Sequence, residues 1–132
     1  MDKRIEFSVD YIKKNLDQVL SLEKISNLCN VSKNYFSFLF KKELGINFSS
    51  YVRIKRLKKA KHLLINQFLS IKEISYDVGY KHVPNFCQDF KGYFGLTPSE
   101  FRDKKNNQNS YTEQIVKFTN FIMKITNFSK NK

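Results

Sequence analysis

Residues 20–31, LSLEKISNLCNV, come back at 69–80 as LSIKEISYDVGY, and FSFLFKKELG at 36–45 comes back at 86–95 as FCQDFKGYFG. The first pair is offset by 49 positions and the second by 50, so the second copy carries one inserted residue at its turn. A chain that repeats its own pattern at this spacing builds one supersecondary unit twice. In both copies the apolar residues recur every three or four positions instead of alternating, which selects helices over strands. Each copy reads as a helix, a tight turn and a longer helix ending on glycine, the pattern of a helix-turn-helix unit. The fold class that follows is all-α: two such units joined by a long linker helix, with an extra C-terminal helix.

Helix punctuation is sparse, with glycine only at 45, 79, 92 and 95 and proline only at 84 and 98. A first helix is predicted over 6–15, with Val9, Ile12 and Leu16 on one face. Ser21 caps a second over 22–29 that buries Leu22, Ile25 and Leu28, and Asn30-Val31 forms the turn. Ser32 caps a third helix over 33–44, and Gly45 takes the left-handed position that follows a helix end. A fourth helix over 48–65 turns Tyr51, Leu57, Ala60 and Leu64 inward; at 1.5 Å per residue it is a strut of about 27 Å. Ser70 with Glu73 reads as a capping box for a fifth helix ending at Gly79. A sixth runs over 83–94 and stops at Gly95. Thr97-Pro98-Ser99-Glu100 opens a short seventh. The domain thus covers 1–102, as a first subdomain over 5–46, the linker helix over 48–65 and a second subdomain over 69–102. Residues 103–132 are left as an extension.

Charge narrows the partners. Twenty-four Lys and Arg against twelve Asp and Glu give +12, which favours nucleic acid or an anionic membrane surface. The stretch 41–61 holds Lys41, Lys42, Arg53, Lys55, Arg56, Lys58, Lys59 and Lys61 against the single acid Glu43, over half of that net charge. A solvated helix face accounts for some of these, Lys58 and Lys61 among them. The N-terminus lacks an apolar signal segment and no run of about 18 apolar residues occurs, so neither a standard export signal nor a membrane span is expected. Cys29 and Cys87 are too few for a disulfide framework and read as buried free thiols in a reducing, cytoplasmic compartment. No nucleophile has a base partner, no glycine loop cradles phosphate, and His62 and His82 have no acidic cluster beside them. Catalysis, cofactors and metal are therefore not expected. The thirteen Phe and seven Tyr fall mostly at core spacing, which assigns them to packing before stacking on single strands.

The strings ISNLCNVSKNYFSFLFKKELG, RIKRLKKAKHLL and IKEISYDVGY, followed by FKGYFGLTPSEFR, resemble the AraC/XylS type of transcription regulator over residues 8–102. The resemblance implies two homeodomain-like subdomains whose second helices, about 33–44 and 83–94, enter successive major-groove segments of duplex DNA, roughly 34 Å apart. It also implies transcription control, commonly activation through contact with RNA polymerase, in the cytoplasm at the nucleoid. It further implies a structural Arg56, paired with an acid between the subdomains. The chain leaves no room for a separate ligand-binding domain. It reads as a small stand-alone regulator or as the DNA-binding end of a longer protein, with Met1 favouring the former.

On the third helix, core spacing of Phe36, Leu39 and Phe40 leaves Lys33, Asn34, Ser37 and Lys41 outward, at positions matching the family's contacts. Asn34 has the paired donor and acceptor that read adenine. Phe38 departs from the polar residue common there, and either packs on a thymine methyl or covers the core. On the sixth, Asn85, Cys87 and Gln88 are the base-reading candidates, with Gln88 aligned to Phe38 and equally suited to adenine. Val83 and Pro84 replace residues commonly polar, which shifts this half toward backbone contacts. Lys33, Lys41, Arg53, Lys81, His82 and Lys91 are the phosphate candidates; His82 sits where Ser32 caps the first unit, so it caps or grips phosphate. Beyond Arg102 a polar run, DKKNNQNS, precedes a stretch in which Ile115, Phe118, Ile122 and Ile125 follow 3-4-3 spacing with Phe121 and Phe128 alongside. This eighth helix packs on the domain, self-associates, contacts polymerase or lies on an anionic membrane; packing or self-association is preferred.

Overall fold

The computed structural model describes the backbone of residues 1–66 and 68–130, with side chains except at 109–112 and 127–130. Among the described residues seven helices follow one another: α1 (Lys3–Lys14), α2 (Leu22–Leu28), α3 (Lys33–Leu44), α4 (Phe48–Leu63), α5 (Ile71–Asp77), α6 (Val83–Phe94) and α7 (Pro98–Lys130). No strand occurs among the described residues. Every start but that of α6 is fixed by a short polar side chain accepting from a free amide of the first turn. Ser21 accepts from Lys24, Ser32 from Tyr35, Asn47 from Ser50, Ser70 from Glu73 and Thr97 from Glu100, at 2.9–3.1 Å. Asp2 does the same for α1, accepting from the Arg4 amide at 2.8 Å. That cap starts α1 three residues earlier than apolar spacing alone predicts. Gly45 and Gly95 end α3 and α6 with φ of +74° and +80°.

Two cores form, one per unit. Ile5, Ile12, Leu16, Ile25, Phe36, Leu39 and Phe40 pack with Phe48 and Val52. Ile74, Val78, Phe86, Phe90 and Phe101 pack with Leu57, Ala60 and Leu64. The linker helix α4 thus gives its first two turns to one core and its last two to the other. Complete burial of Phe36, Phe40, Phe86 and Phe90 anchors the inner faces of α3 and α6, at roughly 1.5–3 kcal/mol each. Leu28, expected inside, is 48% exposed. The two-turn helix α2 spends its inner positions on Ile25 and Ser26, and the repeat places Asp77 opposite Leu28, an acid suited only to solvent.

The units are locked by contacts far apart in sequence. Arg56, on α4, donates from Nε to the Leu16 carbonyl (3.3 Å) and from Nη2 to the Gln18 carbonyl (2.9 Å). The expected acid partner is thus replaced by two backbone oxygens, groups left free where a helix ends and a loop begins. Burial pushes the Arg56 pKa down, although a guanidinium stays charged at any physiological pH. Arg102 repeats the device on α7, donating from Nε to Leu64 (3.1 Å) and from Nη2 to Asn66 (3.2 Å). Gly79, at the second turn with φ of +99°, lies so close to the first unit that a Cβ there would sit 2.1 Å from the Leu16 oxygen.

The short seventh helix, polar linker and eighth helix are replaced by one helix, Pro98–Lys130. The polar run contains neither glycine nor proline, and Asp, Lys, Asn and Gln in sequence do not break a helix once its start is capped. Phe128 lies outside the described side chains. No described helix is long and apolar enough to cross a membrane.

Candidate nucleic-acid interface

Burial of Phe36, Leu39 and Phe40 rotates the opposite side of α3 into solvent, where Lys33, Asn34 and Lys41 are exposed and Ser37 is half-buried. Asn34, Ser37, Phe38, Lys41 and Lys42 line one shallow depression of about 470 Å³. Phe38 is 63% exposed and takes no part in the first core. Its ring is therefore an apolar patch on the outer face, flanked by cations and an amide, and the core-covering alternative falls away. Lys42 joins this group although sequence spacing did not single it out; its place one turn beyond Phe38 was the available signal.

On α6 the same logic applies with Phe86 and Phe90 inside. Asn85, Gln88 and Lys91 are exposed, as are Lys81 and His82 just before the helix. His82 occupies the cap position without a side-chain hydrogen bond to the helix, so its ring is free to meet a partner. Cys87 is half-buried and leans on the second core, and burial raises its thiol pKa. Gln88 lines a cleft of about 280 Å³ between α4 and α6 with Arg53, Asp89, Gly92 and Tyr93. The structure thus brings the phosphate candidate Arg53 beside the base-reading candidate Gln88. Asp89, an acid on an otherwise basic face, accepts from the Tyr80 hydroxyl at 2.8 Å. Burial, then that hydrogen bond, push the Tyr80 phenol above its ordinary range.

The ion pairs among the described residues join Arg4 to Asp2 and Lys14 to Asp10, both within α1 and its cap. Among the described residues the cations of α3, α4 and α6 have no acidic partner, and all but Arg56, which the Leu16 and Gln18 carbonyls hold, are exposed. They do not all face one way. Lys55, Lys58 and Lys59 line a groove with Val9, Ile12 and Lys13 of α1. At 100° per residue that groove lies on the side of α4 opposite Arg53. Lys61 rests over the Phe94 and Phe101 rings, 5.1 and 5.8 Å from their centroids.

Two glycine-capped recognition helices, each with a buried phenylalanine pair and a polar, cationic outer face, define a tandem helix-turn-helix protein. Comparison with known proteins places it further. Residues 25–104 match the helix-turn-helix domain family, and the chain belongs to the AraC/XylS-type helix-turn-helix family of transcriptional regulators. It is 38% identical over 95 residues to the transposon Tn10 TetD protein of Escherichia coli, covering 72% of this chain and 69% of that one. It is 33% identical over 114 residues to the regulatory protein PocR of Salmonella typhimurium, covering 86% of this chain. Among solved structures, the C-terminal domain of AraT, a response regulator from Geobacillus stearothermophilus, is similar at 35% identity and a TM-score of 0.74, over 76% of this chain and 84% of that one. The chain spans well under half the length of several curated relatives, 37% for PocR.

Proposed function

We propose that the chain is a non-catalytic, sequence-specific binder of duplex DNA that regulates transcription from within the cytoplasm, at the nucleoid. In this reading α3 and α6 enter successive major-groove segments. Asn34 and Gln88 read adenine edges by paired hydrogen bonds, and Phe38 packs on a thymine methyl. Ser37, Asn85 and Cys87 flank them. Lys33, Lys41, Arg53, Lys81, His82 and Lys91 grip phosphates and set the register. The domain proper is 1–102, and RNA polymerase is the second partner, which makes activation the favoured outcome; the lactose operon transcription activator of Staphylococcus xylosus is a relative so named. Residues 103–132 supply contacts of another kind, with a further copy of the chain.

The observation that carries the reading is the outward face of α3, where an amide, an exposed aromatic ring and unpaired lysines share one depression. A purely non-specific binder needs the lysines but not Asn34 and Phe38. Selection of bound duplexes from a random pool should return two motifs about one helical turn apart. Affinity for the selected site should exceed that for random duplex by at least about 10³-fold and should fall steeply as salt rises from about 50 to 200 mM. A gap below about tenfold, or a flat salt response, overturns it.

A further inference from the structure

From residue 113 to 126 every side chain of α7 is exposed, and none belongs to either core. The exposed set includes Ile115, Phe118, Phe121, Ile122 and Ile125, between 45% and 65% accessible. The whole of α7 runs 33 residues, about 50 Å, so this apolar part projects away from the fold.

A helix with water on all sides is held by propensity alone, and short isolated helices are marginal in water. Ile115, Val116, Thr119, Ile122, Ile125 and Thr126 are β-branched, the residues that lower helix propensity. The segment therefore needs a cover, and its own domain does not supply one. The pattern says what kind of cover fits. Ile115, Phe118, Ile122 and Ile125 follow the 3-4-3 spacing of a helix–helix seam, with Phe121 widening it on one side. Lys117, Lys124, Glu113 and Asn120 fall together on the far side of the helix. Covering the five apolar side chains would bury roughly 500 Å² per chain, about 1,000 Å² for a pair, which reaches the roughly 1,000 Å² expected of a biological contact and lies just below the roughly 1,200–2,000 Å² of standard interfaces.

We propose that the distal half of α7 is a dimerisation helix, its seam of Ile115, Phe118, Phe121, Ile122 and Ile125 packed on the same seam of a second copy. This deepens the DNA-binding reading and rests on it in one respect: each dimer then carries four recognition helices and binds two copies of the site together. The self-association itself stands apart from DNA, so the two can fail separately.

Sedimentation of the full chain without DNA, between roughly 1 and 100 µM, should show the mass climbing from 15.7 kDa toward twice that value. Ile122→Glu places a carboxylate in the seam and should weaken association about 100-fold or more, while Asn120→Glu on the opposite face should leave it intact. Both variants should bind a single site with unchanged affinity, because neither position touches the cores or α3 and α6. On a duplex with two sites, Ile122→Glu alone should lose cooperativity. Three results overturn the proposal: a monomer across the whole range, equal effects of the two variants, or a monomer that sediments with vesicles of anionic phospholipid. Cooperative assembly without any DNA preference would retain the dimer and remove the DNA reading instead.

Discussion

Gly79 and Gly95 both have positive φ, so each gives the same backbone reason to exclude a side chain, yet their surroundings differ. An added Cβ at Gly95 meets nothing within 4 Å. Gly95→Ala should therefore cost only the left-handed strain of about 1–2 kcal/mol, partly offset by about 0.4–1 kcal/mol from the stiffer unfolded chain. A net loss near 1 kcal/mol is expected. At Gly79 the same atom would sit 2.1 Å from the Leu16 carbonyl oxygen and 2.8 Å from Arg56 Nε. That oxygen is already held by Arg56, so the α1–α2 loop must retreat by nearly 1 Å, inside a contact that hard-sphere sterics forbid. Retreat lengthens a 3.3 Å hydrogen bond beyond use, which adds about 1.5–3 kcal/mol for a bond to a charged group. Gly79→Ala should then lose roughly 2.5–4 kcal/mol in urea denaturation. It should also lose preferentially on DNA carrying both half-sites, since the contact it breaks is the one joining the units. Gly79→Ala within 1 kcal/mol of Gly95→Ala, with half-site coupling intact, would refute the claim that this close approach fixes the two units.

Three further outcomes can be checked. Phe38→Ala should change stability by no more than about 0.5 kcal/mol, as an exposed substitution does, while lowering affinity for the selected site by about 1–3 kcal/mol; a large loss of stability in thermal melts would return Phe38 to the core. Arg102→Ala should cost about 2 kcal/mol in urea denaturation through the released Leu64 and Asn66 carbonyls, and Arg102→Lys should not restore it because an ammonium lacks the two-pronged fork. The Arg4 guanidinium, hydrogen-bonded to Asp2, and then the Arg4 amide depress the Asp2 pKa from 3.8 to about 2. A depressed carboxylate stabilises the fold above its unfolded value and loses that effect as pH falls through the folded one. An NMR titration should place the Asp2 midpoint near 2, with the Arg4 amide moving alongside, and a midpoint near 3.8 would remove the cap.

What sequence made legible was what is local. Ser32, Ser70, Thr97, Gly45 and Gly95 act on the next three or four residues of their own backbone, so their chemistry can be read without knowing the fold. Ser32 and Gly45 bound α3 at both ends in this way, and Gly95 ends α6, whose start has no such cap. Asp2 carries the same signal, but it lies ahead of the apolar spacing by which the first helix is read. Leu28 lies outside the core against expectation because a two-turn helix is too short for three-residue spacing to distinguish core from flank. The partners of Arg56 and Arg102 were illegible for a different reason. Backbone carbonyls have no sequence identity, and those in question lie 36 to 40 positions away. Phe38 shows the same limit on the candidate site, since only the position of α3 on its core decides whether that ring faces water.

The two arginine forks explain how a repeat becomes a ruler. Two helix-turn-helix units strung on a helix would each fold about its own phenylalanines and still swivel. Here each unit begins at a loop whose carbonyls are seized by a later helix: Leu16 and Gln18 by Arg56 of α4, Leu64 and Asn66 by Arg102 of α7. α4 thus both clamps the start of the first unit and is itself clamped at its end by the second. Gly79 then brings the second unit's turn against the very oxygen Arg56 holds, so one carbonyl ties both units to the strut. Bases in successive groove segments can be read together only if the reading helices keep a fixed separation and phase. A swivel would spend binding energy on ordering the protein. The outward faces of α3 and α6, the proposed readers of bases, are therefore set by groups outside them, and that is where loss of specificity without loss of charge should map.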